Sequence, residues 1–222
     1  MSLSHDFTGS VLTSSPPRPA DSNSIDVMAR LGVRMAFAKD EEIYGQDETA
    51  DLIYRVIVGA VRTTRIMSDG RRQISEFYYP DELFGVEAGS RHRYSAEALS
   101  DCIILVVKGS ALRAVVGEVD YSRLVSAATS SELDRTQEHL LMLGRKTACE
   151  RVASFLIGLA DRRRSDAITL PMGRQDMADY LGLTIETVSR MLTHLQGTLA
   201  VEFAGARQFR ISNRGALARL AE

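Results

Sequence analysis

The stretch from Arg174 to Leu192 constrains this chain more than any other, because its residues fit two short helices meeting at a sharp turn. Met177, Ala178 and Leu181 fall at helical spacing and give a first helix one apolar face. Gly182 follows where the backbone must reverse, and glycine takes left-handed angles there without a Cβ clash. Thr184 offers a hydroxyl to cap the next helix, in which Ile185, Val188, Met191 and Leu192 are expected to point inward. Small Ala178 lets the two helices cross closely. Together these features predict a helix-turn-helix.

The second helix then leaves Glu186, Ser189, Arg190 and Thr193 on its outer face, at i, i+3, i+4 and i+7. The N-terminal half of such a helix enters a DNA major groove. The residue types suit base edges: Arg190 can donate two hydrogen bonds to guanine O6 and N7, and Glu186 can accept one from a cytosine amino group. Ser189 can bond either way or touch a thymine methyl. An exposed Glu–Arg pair worth about 0.2–0.5 kcal/mol would use two of the same residues. Behind this turn pattern, base reading is the better account. Leu199 to Phe203 and Gln208 to Ile211 alternate like strands and predict a β-hairpin wing, with Arg207 near its tip for a phosphate.

The rest of the chain divides by composition. Residues 1–24, rich in Ser, Pro and Asp, read as a tail without fixed structure. Residues 25–117 carry short apolar runs separated by turn residues, and Asp69-Gly70 between two such runs is a hairpin signal. A small β-sandwich or barrel is expected there. Residues 118–144 are helix formers. A heptad frame places Leu133 and Leu140 at a, with Thr129, Thr136 and Leu143 at d. A dimerisation helix and a helix docked on its own domain fit that seam equally well. Gly144 is expected to break it before a second helix with Val152, Phe155, Leu156 and Leu159 on its apolar face, and residues 145–222 complete the second domain.

Net charge is −2 overall, but it is unevenly spread. Met1 to Gly144 holds 15 Lys and Arg against 21 Asp and Glu, whereas Arg145 to Glu222 holds 12 against 8. An acidic domain joined to a basic one suits a regulatory part beside a part that approaches phosphates. No apolar run approaches the roughly 20 residues of a membrane span, and the N-terminus lacks a secretory pattern. With only Cys102 and Cys149, no disulfide framework is expected; the setting is a reducing cytoplasm.

From Gln175 to Arg190 the sequence resembles the FNR/FixK branch of the CRP/FNR transcription regulators, whose helix-turn-helix core reads YLGLTxETxSR. Glu186, Ser189 and Arg190 match that branch's base-reading triplet. Gly45, Leu52 to Gly59, Ser68 to Ile74 and Phe84-Gly85 are similar to the family's cyclic-nucleotide-binding jelly roll. The resemblance implies an α+β protein: an N-terminal β jelly roll, a long dimerisation helix carrying Leu133, Thr136, Leu140 and Leu143, and a C-terminal winged helix-turn-helix. It implies a homodimeric regulator, an activator, contacting RNA polymerase and a TTGAT-N4-ATCAA-like palindrome. Arg174, Gln175, Thr184, Thr187 and Arg207 are then expected at phosphates.

Departures from the family bear on control. Two cysteines cannot supply the four thiolates of an iron–sulfur cluster, so Cys102 and Cys149 read as packing residues and no cofactor is expected. The family's nucleotide clamp, a Gly-Glu motif and an Arg-Ser pair, is altered: Val86 follows Gly85, and Tyr94 follows Arg93. A FixK-type regulator acting without an effector is therefore expected. The alternative is a ligand-gated sensor of the same fold responding to a nucleotide or, through His92, to haem, although a lone loop histidine reads as polar surface. A metal-dependent cupin enzyme is not expected, because His5, His92, His139 and His194 fall in unlike segments that cannot converge.

Overall fold

The computed structural model describes residues 22–205 and 207–222. Residues 1–21 of the expected tail lie outside the described residues. Its last three residues open a helix instead, α1 (Ser22–Leu31), where the chain settles Val27 and Met28 against the jelly roll.

Eight strands follow in two antiparallel four-stranded sheets. One sheet has the order β1-β8-β3-β6: β1 (Val33–Phe37), β8 (Cys102–Lys108), β3 (Leu52–Val58) and β6 (Leu83–Phe84). The other has the order β2-β7-β4-β5: β2 (Glu42–Tyr44), β7 (Ser95–Ala98), β4 (Val61–Ile66) and β5 (Arg72–Tyr78). Phe37, Tyr44, Tyr54, Val56, Val61, Tyr78, Phe84 and Ile104 fill the space between them. The apolar run in β8 is continuous, and that in β3 is interrupted only by Arg55, because both faces of these strands are largely covered. Tyr54 and Val56 face the sandwich, while Ile53, Leu105 and Val107 pack under α1 and the helices after β8. Gly70 makes the β4–β5 turn at φ 83°, as Asp69-Gly70 predicted.

After β8 come α2 (Gly109–Val116) and α3 (Glu118–Arg145), separated by Gly117 at φ 84°. With 28 residues, α3 is about 42 Å long. It runs through Gly144, where a break was expected, because an isolated glycine costs a helix only about 1 kcal/mol. The chain turns at Lys146 and Thr147 instead, and Thr147 and Glu150 form a capping box for α4 (Ala148–Arg163).

The C-terminal domain adds β9 (Ala167–Thr169), α5 (Arg174–Leu181), α6 (Ile185–Gly197), β10 (Val201–Phe203), β11 (Gln208–Ile211) and α7 (Arg214–Arg219). The expected wing hairpin gains β9 as a third strand beside β11. Val152, Phe155, Leu156 and Leu159 of α4 are all buried, packed with Met177, Ala178, Leu181, Val188 and Leu192. The same apolar cluster takes in Ile74, Phe77, Tyr79 and Leu99 of the jelly roll, so one core runs across both domains.

Candidate nucleic-acid interface

Local chemistry sets the angle between α5 and α6. At the C-terminal end of α5, Gly182 sits at φ 62°, ψ 40° and donates its N–H to Ala178 O; Leu183 N–H donates to the same carbonyl at 3.0 Å. Such a left-handed cap satisfies carbonyls that would otherwise be left over at a helix end. Thr184 then caps α6, its hydroxyl accepting the Thr187 N–H at 3.3 Å. Val188 and Leu192 are buried as expected and Met191 is half-buried. Ile185 corrects the inward reading: it is the first residue of α6 and is 38% exposed.

The outer face of α6 carries the expected groups in a usable state. Glu186 is exposed, and its carboxylate is held below the ordinary glutamate range by hydrogen bonds to its own N–H and the Thr184 hydroxyl, with Arg190 adding a smaller pull. It is therefore an ionised, acceptor-only group at a helix N-terminus. Arg190 donates to the Thr187 hydroxyl at 3.3 Å, and among the described residues it makes no ion pair with Glu186. The simple Glu–Arg surface pair is not formed. Ser189 is half-buried, and its Oγ accepts from Arg174 Nη1 at 3.2 Å, so a base-reading candidate and a phosphate candidate adjoin. Thr193 is exposed too, and its Oγ1 donates back to Ser189 O at 3.1 Å.

The remaining phosphate candidates are placed with varying freedom. Gln175 is exposed but spends one N–H on Asp179 at 2.7 Å. Thr184 and Thr187 share a hydrogen bond of 3.1 Å between their hydroxyls. Arg207 is exposed beside the Gly205 turn of the wing. On α3, Leu133 (54% exposed) and Leu140 (69%) stand open with Thr136, while Leu143 is half-buried near Gly182. Leu141, 63% exposed, was not singled out from the heptad frame, since it falls outside the a and d positions.

Two supports of this motif were missed in the sequence. Arg151 of α4 donates to Leu143 O at 2.8 Å and to Leu181 O at 3.0 Å, tying the ends of α3 and α5 together. His139 of α3 contacts Tyr180 O through Nε2 at 2.7 Å and stacks on the Tyr180 ring at 3.9 Å. Nothing local in the sequence announces either tie to α5, because Leu181 lies 30 residues from Arg151 and Tyr180 lies 41 from His139.

In the jelly roll, the altered clamp stretch is closed upon itself. Arg93 Nε donates to Glu87 at 2.8 Å, and Arg91 donates to Asp47 O at 2.6 Å. His92 is not polar surface: it is 1% exposed and stacks on Tyr44 at 3.7 Å, beside Tyr54 and Phe84. Flanking arginines took the solvent-facing positions and turned this ring inward. Gly85, at φ 75°, admits the Tyr54 ring where a Cβ would come within 2.5 Å of it. Among the described residues there is no group of three or more His, Cys, Asp or Glu placed to hold a metal ion, and no helix long and apolar enough to cross a membrane.

Comparison with known proteins agrees with this arrangement. Residues 150–220 match the Crp-like helix-turn-helix domain, and residues 34–118 match the cyclic nucleotide-binding domain. The nitrogen fixation regulation protein FixK of Azorhizobium caulinodans is 47% identical over 201 residues, covering 87% of this chain and 81% of that protein. The transcriptional activatory protein AadR of Rhodopseudomonas palustris is 38% identical over 184 residues, covering 80% and 76%. Among solved structures, FixK2 from Bradyrhizobium japonicum superposes with a TM-score of 0.81 at 46% identity, covering 86% of this chain and 98% of that one.

Proposed function

Since the chain belongs to the CRP/FNR family and is a FixK-like transcription activator with a DNA-binding helix-turn-helix, we propose that it works as a homodimer on a TTGAT-N4-ATCAA-like palindrome. The observation that carries this reading is the outer face of α6, where an ionised Glu186 and an Arg190 without a carboxylate partner stand exposed. Leu133 and Leu140 on α3 supply the apolar seam between protomers, with Thr136 and Leu143 flanking it. Pairing along α3 sets two recognition helices about 34 Å apart, one turn of B-DNA. Arg174, Gln175, Thr184, Thr187 and Arg207 hold phosphates and fix register; Glu186, Ser189 and Arg190 read bases. The boundaries that go with this reading are a tail over 1–24, a regulatory jelly roll over 25–117, a dimerisation helix over 118–144 and a DNA-binding domain over 145–222. Exposed jelly-roll loops meet RNA polymerase, and the protein acts in the cytoplasm, where the DNA is.

No effector is needed in this reading. Arg93 of the altered nucleotide clamp is spent on Glu87, and His92, the haem candidate, is stacked on Tyr44 inside the jelly roll. Calorimetric titration with cyclic AMP and cyclic di-GMP is expected to give no binding heat. Arg190→Ala, titrated by fluorescence anisotropy against a palindromic duplex at fixed salt, is expected to lose about 1–3 kcal/mol per half-site. Unchanged affinity would remove Arg190 from base reading.

A further inference from the structure

The domain seam contains an inversion of charge. The acidic jelly roll presents two arginines there, Arg62 of β4 and Arg72 of β5, and the basic C-terminal domain presents two aspartates of α5, Asp176 and Asp179. Arg62 is 7% exposed and meets three carboxylates: Nε and Nη2 reach Glu97 at 2.8 and 2.7 Å, Nη2 also reaches Asp40 at 3.1 Å, and Nη1 reaches Asp176 at 3.1 Å. Arg72 forks across both aspartates, Nη2 to Asp176 at 2.7 Å and Nε to Asp179 at 2.8 Å. Asp176 also accepts the Gly173 N–H at 3.1 Å, which closes the N-terminus of α5. A second cluster lies nearby, where Arg162 of α4 and Arg135 of α3 converge on buried Glu76 of β5.

We propose that Asp176 and Asp179, clamped by Arg62 and Arg72, are positioning residues that fix the angle of the recognition helix relative to the dimer helix. The helix α5 is held on its jelly-roll side by this clamp and on its α3 side by His139. Because α6 follows α5 after a three-residue turn, an α5 that cannot rock leaves α6 one setting. A bidentate arginine fork suits that task, since it fixes direction as well as distance. The clamp also masks two negative charges on the domain that must approach phosphates.

This inference rests on the reading of a dimer on a two-fold site, and spacing is its natural readout. Arg62 is too buried to remove safely, since its carboxylates would be left unpaired; Arg72 is the better probe. Duplexes with the half-sites at their native separation, and moved closer or apart by two base pairs, are titrated with the full-length protein. The parent is expected to prefer the native separation strongly. Arg72→Gln is expected to lose about tenfold of that preference while keeping the base preference within each half-site. The exchanged pair, Arg72→Asp with Asp179→Arg, is expected to recover it. If Arg72→Gln keeps the full spacing preference, or loses base and spacing preference together with its thermal transition, the clamp is not a positioning device. A parent without any spacing preference defeats the two-fold reading itself, and the clamp with it.

Discussion

Glu186, Arg190 and His92 show how one residue's surroundings decide its use. Glu186 and Arg190 stand at i and i+4, which would ordinarily suggest a surface ion pair. Glu186 is instead satisfied at the helix N-terminus, and Arg190 rests on a neutral hydroxyl. Both are free to exchange those weak local bonds for bases. His92 illustrates the opposite case. Burial holds its pKa below the ordinary 6.5, against the opposing pull of Glu87, Glu48 and Asp51, and neither ring nitrogen has a hydrogen-bond partner. Burial lowers His139 in the same way, against its bond to Tyr180 O and the charge of Glu76. A lowered histidine takes up its proton more readily when unfolded, so its stabilising effect is complete above pH 6.5 and is lost as pH falls through the folded value. The denaturation midpoint should therefore drop between pH 7 and 5.5. His92→Phe, which keeps the stack, should flatten that slope, and an unaltered slope would show that His92 does not contribute. Base-reading residues were legible because exposure and spacing on one helix reveal them. His92 was not, because its burial depends on Tyr44 and Tyr54, brought in from other strands.

At the scale of elements, the helix-turn-helix was legible nearly to the residue, since cap, turn glycine and apolar spacing all lie within twenty positions. The jelly-roll strands could be located from their apolar runs, but their order could not, because pairings such as β3 with β8 join residues some fifty positions apart. The helix α1 was hidden by the polar composition it shares with the tail, and its few apolar residues find their partners far along the chain, on β8, α2 and α3. The helix α3 was legible as a helix; its spacing left its role open, and the family resemblance gave it the dimer role. Leu133 and Leu140, 54% and 69% exposed, leave that proposed seam open to a second copy. Leu140→Glu would place two like charges across that seam. Sedimentation is expected to show monomers, with the circular dichroism spectrum preserved. A variant that stays dimeric would move the interface elsewhere.

For the whole molecule, the uneven charge distribution and the shared core belong together. The basic domain can face DNA because its own acidic helix is turned toward arginines of the acidic domain. Phe77 and Ile74 of β5 continue the apolar core of the helix-turn-helix into the jelly roll, so the seam is packed as well as charged. The charge asymmetry was legible by counting residues; its local inversion was not, since Arg72 and Asp176 are 104 positions apart. Selection from a pool of random duplexes, with and without oxygen, tests the central claim most directly. The parent is expected to enrich a two-fold motif with TTGAT-like halves under both conditions, and Arg190→Ala to lose the guanine preference in each half. A motif without two-fold symmetry, or one that Arg190→Ala enriches unchanged, would contradict the account.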